Sequence, residues 1–196
     1  MEILMTQKRI FVLNGHPGET SLSFALSNAY AEAARLAGHD VRIAHVHDLN
    51  FDMDYGLGGY KNAKPLEPDL EKVLSNIEWA EHVVLATPMW WGGLPAKLKG
   101  LIDRSFLPGR TFDTRGRFPK PILKGRTGRV FLTSDTPGWY FRLVYRNALI
   151  WQLKKQVLGF IGVKTKVTAL SGASHIKDKK LSKWIDQAKN LGAVGA

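Results

Sequence analysis

Cysteine is absent from the 196-residue sequence. That removes disulfide scaffolds, CxxC redox chemistry, cysteine phosphatases and cysteine-based zinc sites together, so any redox role must rest on a bound cofactor. Long apolar runs are missing as well: none approaches the roughly 18 residues that span a bilayer. Met1 to Arg9 carries no apolar stretch of signal-peptide length, which sets the expectation of a cytoplasmic protein. Acidic residues are few, 17 against 28 Lys and Arg, and the resulting formal charge of +11 implies attraction to something anionic. Nucleic acid, anionic lipid and phosphorylated cofactors all qualify. No helix-turn-helix, zinc or RNA-recognition signature accompanies the charge, so nucleic acid is not an expected partner.

What is present is the composition of a packed globule, 44% apolar with six Trp and nine Phe. Without repeats, low-complexity segments or linkers, the chain is expected to form a single domain over residues 1–196. Strand and helix patterns alternate throughout, which predicts a parallel sheet covered on both faces. Apolar runs place strands at Arg9–Asn14, Val41–Val46, His82–Thr87, Arg129–Thr133 and Lys164–Leu170. Helices are predicted over Ser23–Leu36, around Leu70–Ile77 and Leu98–Ile102, as one long helix within Tyr140–Leu158, and over Lys177–Leu191. Gly192–Ala196 is expected to be a loose tail. Five strands each followed by a helix indicate an α/β fold with a doubly wound five-stranded parallel sheet, strand order 2-1-3-4-5. The ligand crevice of such a sheet lies at the carboxyl ends of its strands, where the winding reverses.

Three loops lie there. The first, Asn14 to Ser23, sets His16, Thr20, Ser21, Leu22 and Ser23 at the start of a helix, where free N–H groups and the helix dipole favour an anion. Ser and Thr are also ordinary caps, but three hydroxyls with a His and two Gly favour phosphate. The pattern is neither GxGxxG nor GxxxxGK[ST], which disfavours a dinucleotide-binding Rossmann domain and a P-loop NTPase. His16 reads as a phosphate donor or loop-ordering group rather than a metal ligand, and no metal is expected. The second loop, Pro88-Met89-Trp90-Trp91-Gly92-Gly93-Leu94-Pro95, sets two adjacent tryptophans where a surface loop normally has none. An aromatic slot for a planar ring accounts for them, and so does a patch for dimer contact. The third loop, Thr133-Ser134-Asp135-Thr136 and onward to Tyr140, supplies an opposite wall.

These stretches, His16-Pro-x-x-x-Ser21-Leu22 and Pro88 to Gly100 above all, resemble the NAD(P)H:quinone oxidoreductase family of the flavodoxin-like fold. That family includes the modulator of drug activity B type and the ancillary reductases of glutathione-gated potassium efflux. The resemblance covers about Arg9 to Leu191. It implies a tightly bound flavin, FMN or FAD, reduced by NAD(P)H and reoxidised by a quinone-like acceptor. It assigns the flavin phosphate to His16, Thr20, Ser21, Leu22 and Ser23, and the ring to Pro88, Met89, Trp90, Trp91 and Gly92. Thr133, Ser134, Asp135 and Thr136 would cover the far edge of the ring, and Tyr140 would stabilise charge on it. It also implies a homodimer. There are departures: the vertebrate members carry a Gly-Gly pair and a nearby His in the third loop, and no His lies between Tyr140 and Leu158 here.

From Arg110 to Arg129 the chain carries Arg110, Arg115, Arg117, Lys120, Lys124, Arg126 and Arg129 against one acid, Asp113. The stretch reads either as a solvated loop or as an attractor of NADPH phosphates lying over the flavin, with Phe112 and Phe118 beside the acceptor. An alternative function is a regulatory ancillary subunit of a membrane transport system, its basic surface docking to an anionic leaflet as a peripheral membrane protein.

Overall fold

The computed structural model describes residues 6–54, 56 and 63–196. Met1–Met5, part of the stretch read as lacking a signal-peptide-length apolar run and of the expected 1–196 domain, lie outside the described residues. β1 (Arg9–Asn14) pairs in parallel with β2 (Asp40–His45) on one side and β3 (His82–Pro88) on the other. β6 (Thr127–Ser134) and β7 (Lys164–Ser171) complete the sheet, giving the order β2-β1-β3-β6-β7. This is the 2-1-3-4-5 winding expected from the sequence. β3 is buried at every position because it has a neighbour on each side and helices on both faces. β2, at the edge, leaves Asp40 and Arg42 exposed.

Side chains alternate between two cores. Ile10, Val12, Val84 and Phe131 face α1 (Leu22–Leu36) and α7 (Asp178–Ala193), among Leu26, Tyr30, Trp184 and Ala188. Phe11, Leu13, Val83, Leu85 and Val130 face the other side, against α2 (Pro68–Trp79) and α3 (Ala96–Ser105). α1 and α7 pack closely at Gly192: a Cβ there would stand 2.3 Å from the Tyr30 carbonyl oxygen.

On three points the structure departs from the sequence reading. The long helix expected within Tyr140–Leu158 is broken into α4 (Gly138–Leu143), α5 (Ala148–Trp151), a π-helical turn over Gln152–Val157, and α6 (Leu158–Ile161). Arg146 and Asn147 adopt left-handed φ values of 48° and 54°, which no α-helix accommodates. The wider π turn brings the Lys154 carbonyl oxygen to 2.1 Å from where a Cβ on residue 159 would stand, and glycine there permits it. The tail is held rather than loose: α7 runs through Ala193, Gly195 N–H donates to the Gly192 carbonyl, and Lys8 Nζ donates to the Gly195 carbonyl at 2.8 Å. The basic stretch folds as a small antiparallel hairpin, β4 (Phe112–Asp113) with β5 (Lys120–Pro121). No helix among the described residues is long and apolar enough to cross a membrane.

Candidate functional site

The parallel register brings the loops after β1, β3, β6 and β7 to one edge, and backbone hydrogen bonds staple each to the next. Gly15 N–H donates to the Ala86 carbonyl at 2.7 Å, Met89 N–H to Thr133 at 2.8 Å and Gly172 N–H to Ser134 at 2.7 Å. Between them opens a cleft of about 260 Å³ lined by His16, Thr20, Ser21, Leu22, Ser23, Pro88, Met89, Trp90, Thr133, Ser134 and Asp135. A wider cavity of about 640 Å³ adjoins it through the shared Met89 and Asp135, and is lined by Trp91, Gly92 and Thr136. Every expected site residue except Tyr140 lines one or the other.

At the first loop, Ser21 is the N-cap of α1, its Oγ accepting from Phe24 N–H at 3.0 Å. The Leu22 and Ser23 N–H groups fall in the first turn, where a helix has no internal acceptor for them. Ser23 Oγ is buried and has no partner among the described residues. Asn14 Oδ1 accepts from His16 N–H at 3.2 Å, and His16 Nδ1 accepts from Gly18 N–H at 2.9 Å. An accepting Nδ1 leaves the ring proton on Nε2, so His16 presents a donor. The arrangement is a nest of donors, and among the described residues that line the cleft Asp135 is the one acid.

The Asp135 carboxylate is already engaged. Its two oxygens accept from the Ser174 hydroxyl at 2.5 Å and the Ser174 N–H at 2.7 Å, and these bonds hold its carboxyl below the usual carboxylate range. Ser174 and Ala173 form a wall that sequence reading missed. Their signal was available, since the loop after the fifth strand must reach the same sheet edge.

The second loop is a tight turn. Trp90 and Gly93 exchange both backbone hydrogen bonds, at 3.0 and 2.9 Å, around Trp91 and Gly92 with φ of 50° and 75°. Two central residues at positive φ are the signature of a type I′ turn, which glycine accepts freely and tryptophan does not. The strained backbone leaves the Trp91 indole fully exposed at the mouth of the wider cavity, while Trp90 sits edge-on to His16 at 5.5 Å between ring centroids.

Tyr140 lines neither cavity. It packs edge-on against Tyr145 at 5.0 Å, and Tyr145, with Phe141, Ala148 and Leu149, forms the wall of the wider one. Tyr145 is exposed and lies just before the break at Arg146–Asn147, and nothing in the helical periodicity signals its place on the cavity wall. The basic hairpin also lies elsewhere. α3 carries the chain some 15 Å away from the crevice edge, and the hairpin is tied down at the amino ends of the strands. There Leu123 N–H donates to Ile161, and Arg126 donates to the Ala80 and Glu78 carbonyls. Arg110 is consumed by Glu71 and Glu78, Arg115 by Asp113, and Phe112 packs on Phe160. The expectation that this stretch lies over the site of its own chain is therefore corrected.

A doubly wound sheet with a donor-rich loop after its first strand defines the class. The chain belongs to the family described as having the flavodoxin-like fold, whose model matches residues 8–191. Among its relatives is the ribosyldihydronicotinamide dehydrogenase [quinone] of Rattus norvegicus, 21% identical, over 95% of this chain and 93% of the relative. Among solved structures, the NAD(P)H:quinone oxidoreductase of Methanothermobacter marburgensis superposes with a TM-score of 0.79 at 20% identity, covering 96% of this chain and 98% of that one. An FMN-dependent NADH-azoreductase of Bacillus anthracis in complex with FMN gives 0.72 at 16% identity, over 94% of this chain and 97% of the other.

Proposed function

We propose that this chain is a flavin-dependent NAD(P)H oxidoreductase that reduces quinones or similar small acceptors, acting in the cytoplasm as a homodimer. The observation that carries the reading is one continuous crevice with a donor nest at one end and an aromatic wall at the other. The residues fit a flavin mononucleotide moiety. The unpartnered Ser23 hydroxyl, the His16 Nε2 donor and the first-turn N–H groups of α1 suit a phosphate, which would satisfy groups that are otherwise costly to bury. Met89, Trp90, Trp91 and Gly92 suit the face and edge of a planar ring, with Thr133, Ser134, Asp135 and Thr136 opposite. The relatives' names point the same way.

A bound flavin supplies acceptance of a hydride from NAD(P)H and release of electrons to the acceptor. The chain's own residues bind and orient. The α1 amino end anchors the phosphate, the Trp90–Gly93 turn fixes one wall, and the two Ser174 donors hold the Asp135 carboxylate in a fixed orientation. Tyr145, in place of Tyr140, is the hydroxyl that faces the open cavity where nicotinamide and acceptor would alternate. The dimer is supported by the apolar surface of Trp139, Leu143, Val144 and Trp151, all exposed beside that cavity, which a second copy would cover.

The test is titration of the purified protein with FMN and FAD, followed by NADH and NADPH oxidation with a quinone. Uptake of either flavin at micromolar concentration is expected, with Trp91→Ala weakening it about tenfold through loss of stacking. A protein that ignores both flavins would overturn the reading.

A further inference from the structure

At the opposite edge of the sheet, where the strands begin, lies a separate cavity of about 840 Å³. Six cations line it, Lys8, Arg129, Lys154, Lys155, Lys164 and Lys166, and no Asp or Glu does. Among the described residues none of the six forms an ion pair. Concentrated like charge without counter-charge repels itself, so such a cluster persists where a ligand offsets it.

The buried polar groups behind the cavity give an independent indication. His82 lines it, is 2% exposed, and leaves Nε2 without a partner while Nδ1 lies 2.7 Å from Thr127 Oγ1. If the Thr127 hydroxyl donates to Nδ1, Nε2–H is a donor with no acceptor. Arg129 Nε is likewise buried without a partner, and its guanidinium reaches only Thr168 Oγ1, at 3.4 Å. Tyr30 Oη, a third unpartnered buried atom, belongs to the same group, since Tyr30 stacks on the His82 ring at 6.4 Å. Buried polar groups are nearly always satisfied in folded proteins. Several together behind a ring of cations that form no ion pair describe a site that lacks its acceptor.

We infer that this cavity binds a polyphosphate, an anion bearing at least two phosphate groups, free in solution or presented as a lipid headgroup. A guanidinium offers planar paired donors to phosphate, and the flanking lysines supply mobile charge. Six cations spread over this volume exceed what a single carboxylate or monophosphate would neutralise. The cavity lies at the opposite end of the strands from the crevice that would hold the flavin, so the two sites are independent.

The experiment is calorimetric titration of the full chain with inorganic triphosphate, with and without saturating FMN, beside sedimentation with phosphatidylcholine vesicles with or without phosphatidylinositol bisphosphate. Binding of one triphosphate per chain, or sedimentation only with the bisphosphate vesicles, is expected, and which probe binds tells the free ligand from the headgroup. Arg129→Gln should weaken it about tenfold, the scale of one charge-assisted bond. Lys155→Gln with Lys166→Gln, both exposed positions that leave the fold untouched, should do the same and decides the matter if Arg129→Gln does not fold. Binding to neither probe, binding that the lysine pair leaves unchanged, or binding that FMN abolishes would overturn the inference.

Discussion

Ser21 holds two offices at once. Its Oγ caps α1 through Phe24 N–H, and its side chain lines the cleft proposed for the phosphate. The two can be separated. Ser21→Ala removes the hydroxyl from the cap and the cleft alike but leaves the first-turn N–H groups in place, so it is expected to lower stability by about 1 kcal/mol while flavin is still taken up. Ser21→Glu sets a carboxylate against the same N–H groups and should abolish uptake, because it repels the phosphate as well. Thermal unfolding and flavin content, measured on both variants, check this. Equal colour in the two would reduce Ser21 to a cap. The serine was legible in the sequence because hydroxyls before an apolar run signal a helix start. Ser174 was not, because its part is set by the Asp135 carboxylate reaching across from another loop.

Among the elements, α1 and α7 depend on a single missing side chain. Gly192→Ala would press a methyl into the Tyr30 carbonyl, and a packed interior resists this by small backbone shifts costing about 2 kcal/mol. Urea unfolding should show the midpoint fall with the slope unchanged; an unaltered midpoint would mean the helices slide apart freely. The strands and the first helices were readable because each is an apolar run or a 3.6-residue stripe. The segment from Gly138 to Ile161 was not. Its apolar residues keep a helical spacing straight through Arg146 and Asn147, yet those two residues turn left-handed. Tyr145 lines the cavity, whereas the family resemblance pointed to Tyr140. The β4–β5 hairpin was equally hidden, with two residues per strand and no alternation to read.

At the scale of the whole molecule, the exposed apolar face from Trp139 to Trp151 predicts self-association. Light scattering is expected to give a dimer, and Leu143→Lys with Trp151→Lys a monomer, since a buried unpaired charge opposes the interface. A monomer from the unaltered chain at all concentrations would reject it. The molecule should also be sensitive to acid. Burial first, then Lys8 and Arg129, push the His82 imidazole down to about 3 from 6.5, so the folded protein keeps it neutral while the unfolded chain protonates it. The unfolded state therefore binds the extra proton, and stability falls as pH drops from about 6.5 towards 3. Each pH unit in that window removes up to roughly 1.4 kcal/mol. His39 and His45, also lowered by burial, act in the same direction. His82→Gln should flatten the decline, as read from denaturant unfolding at pH 7, 5 and 4. An unchanged slope would assign it to the other groups.

The turn that holds Trp91 out in water also makes that residue a natural optical gauge. Trp184 is buried in the α1–α7 core, whereas Trp91 is as open to solvent as an indole on a free peptide. Its emission should be red and readily quenched by acrylamide. Anything that comes to rest against it, a flat ring in the crevice or a second chain across its mouth, should register as a blue shift and loss of quenching before any activity is assayed.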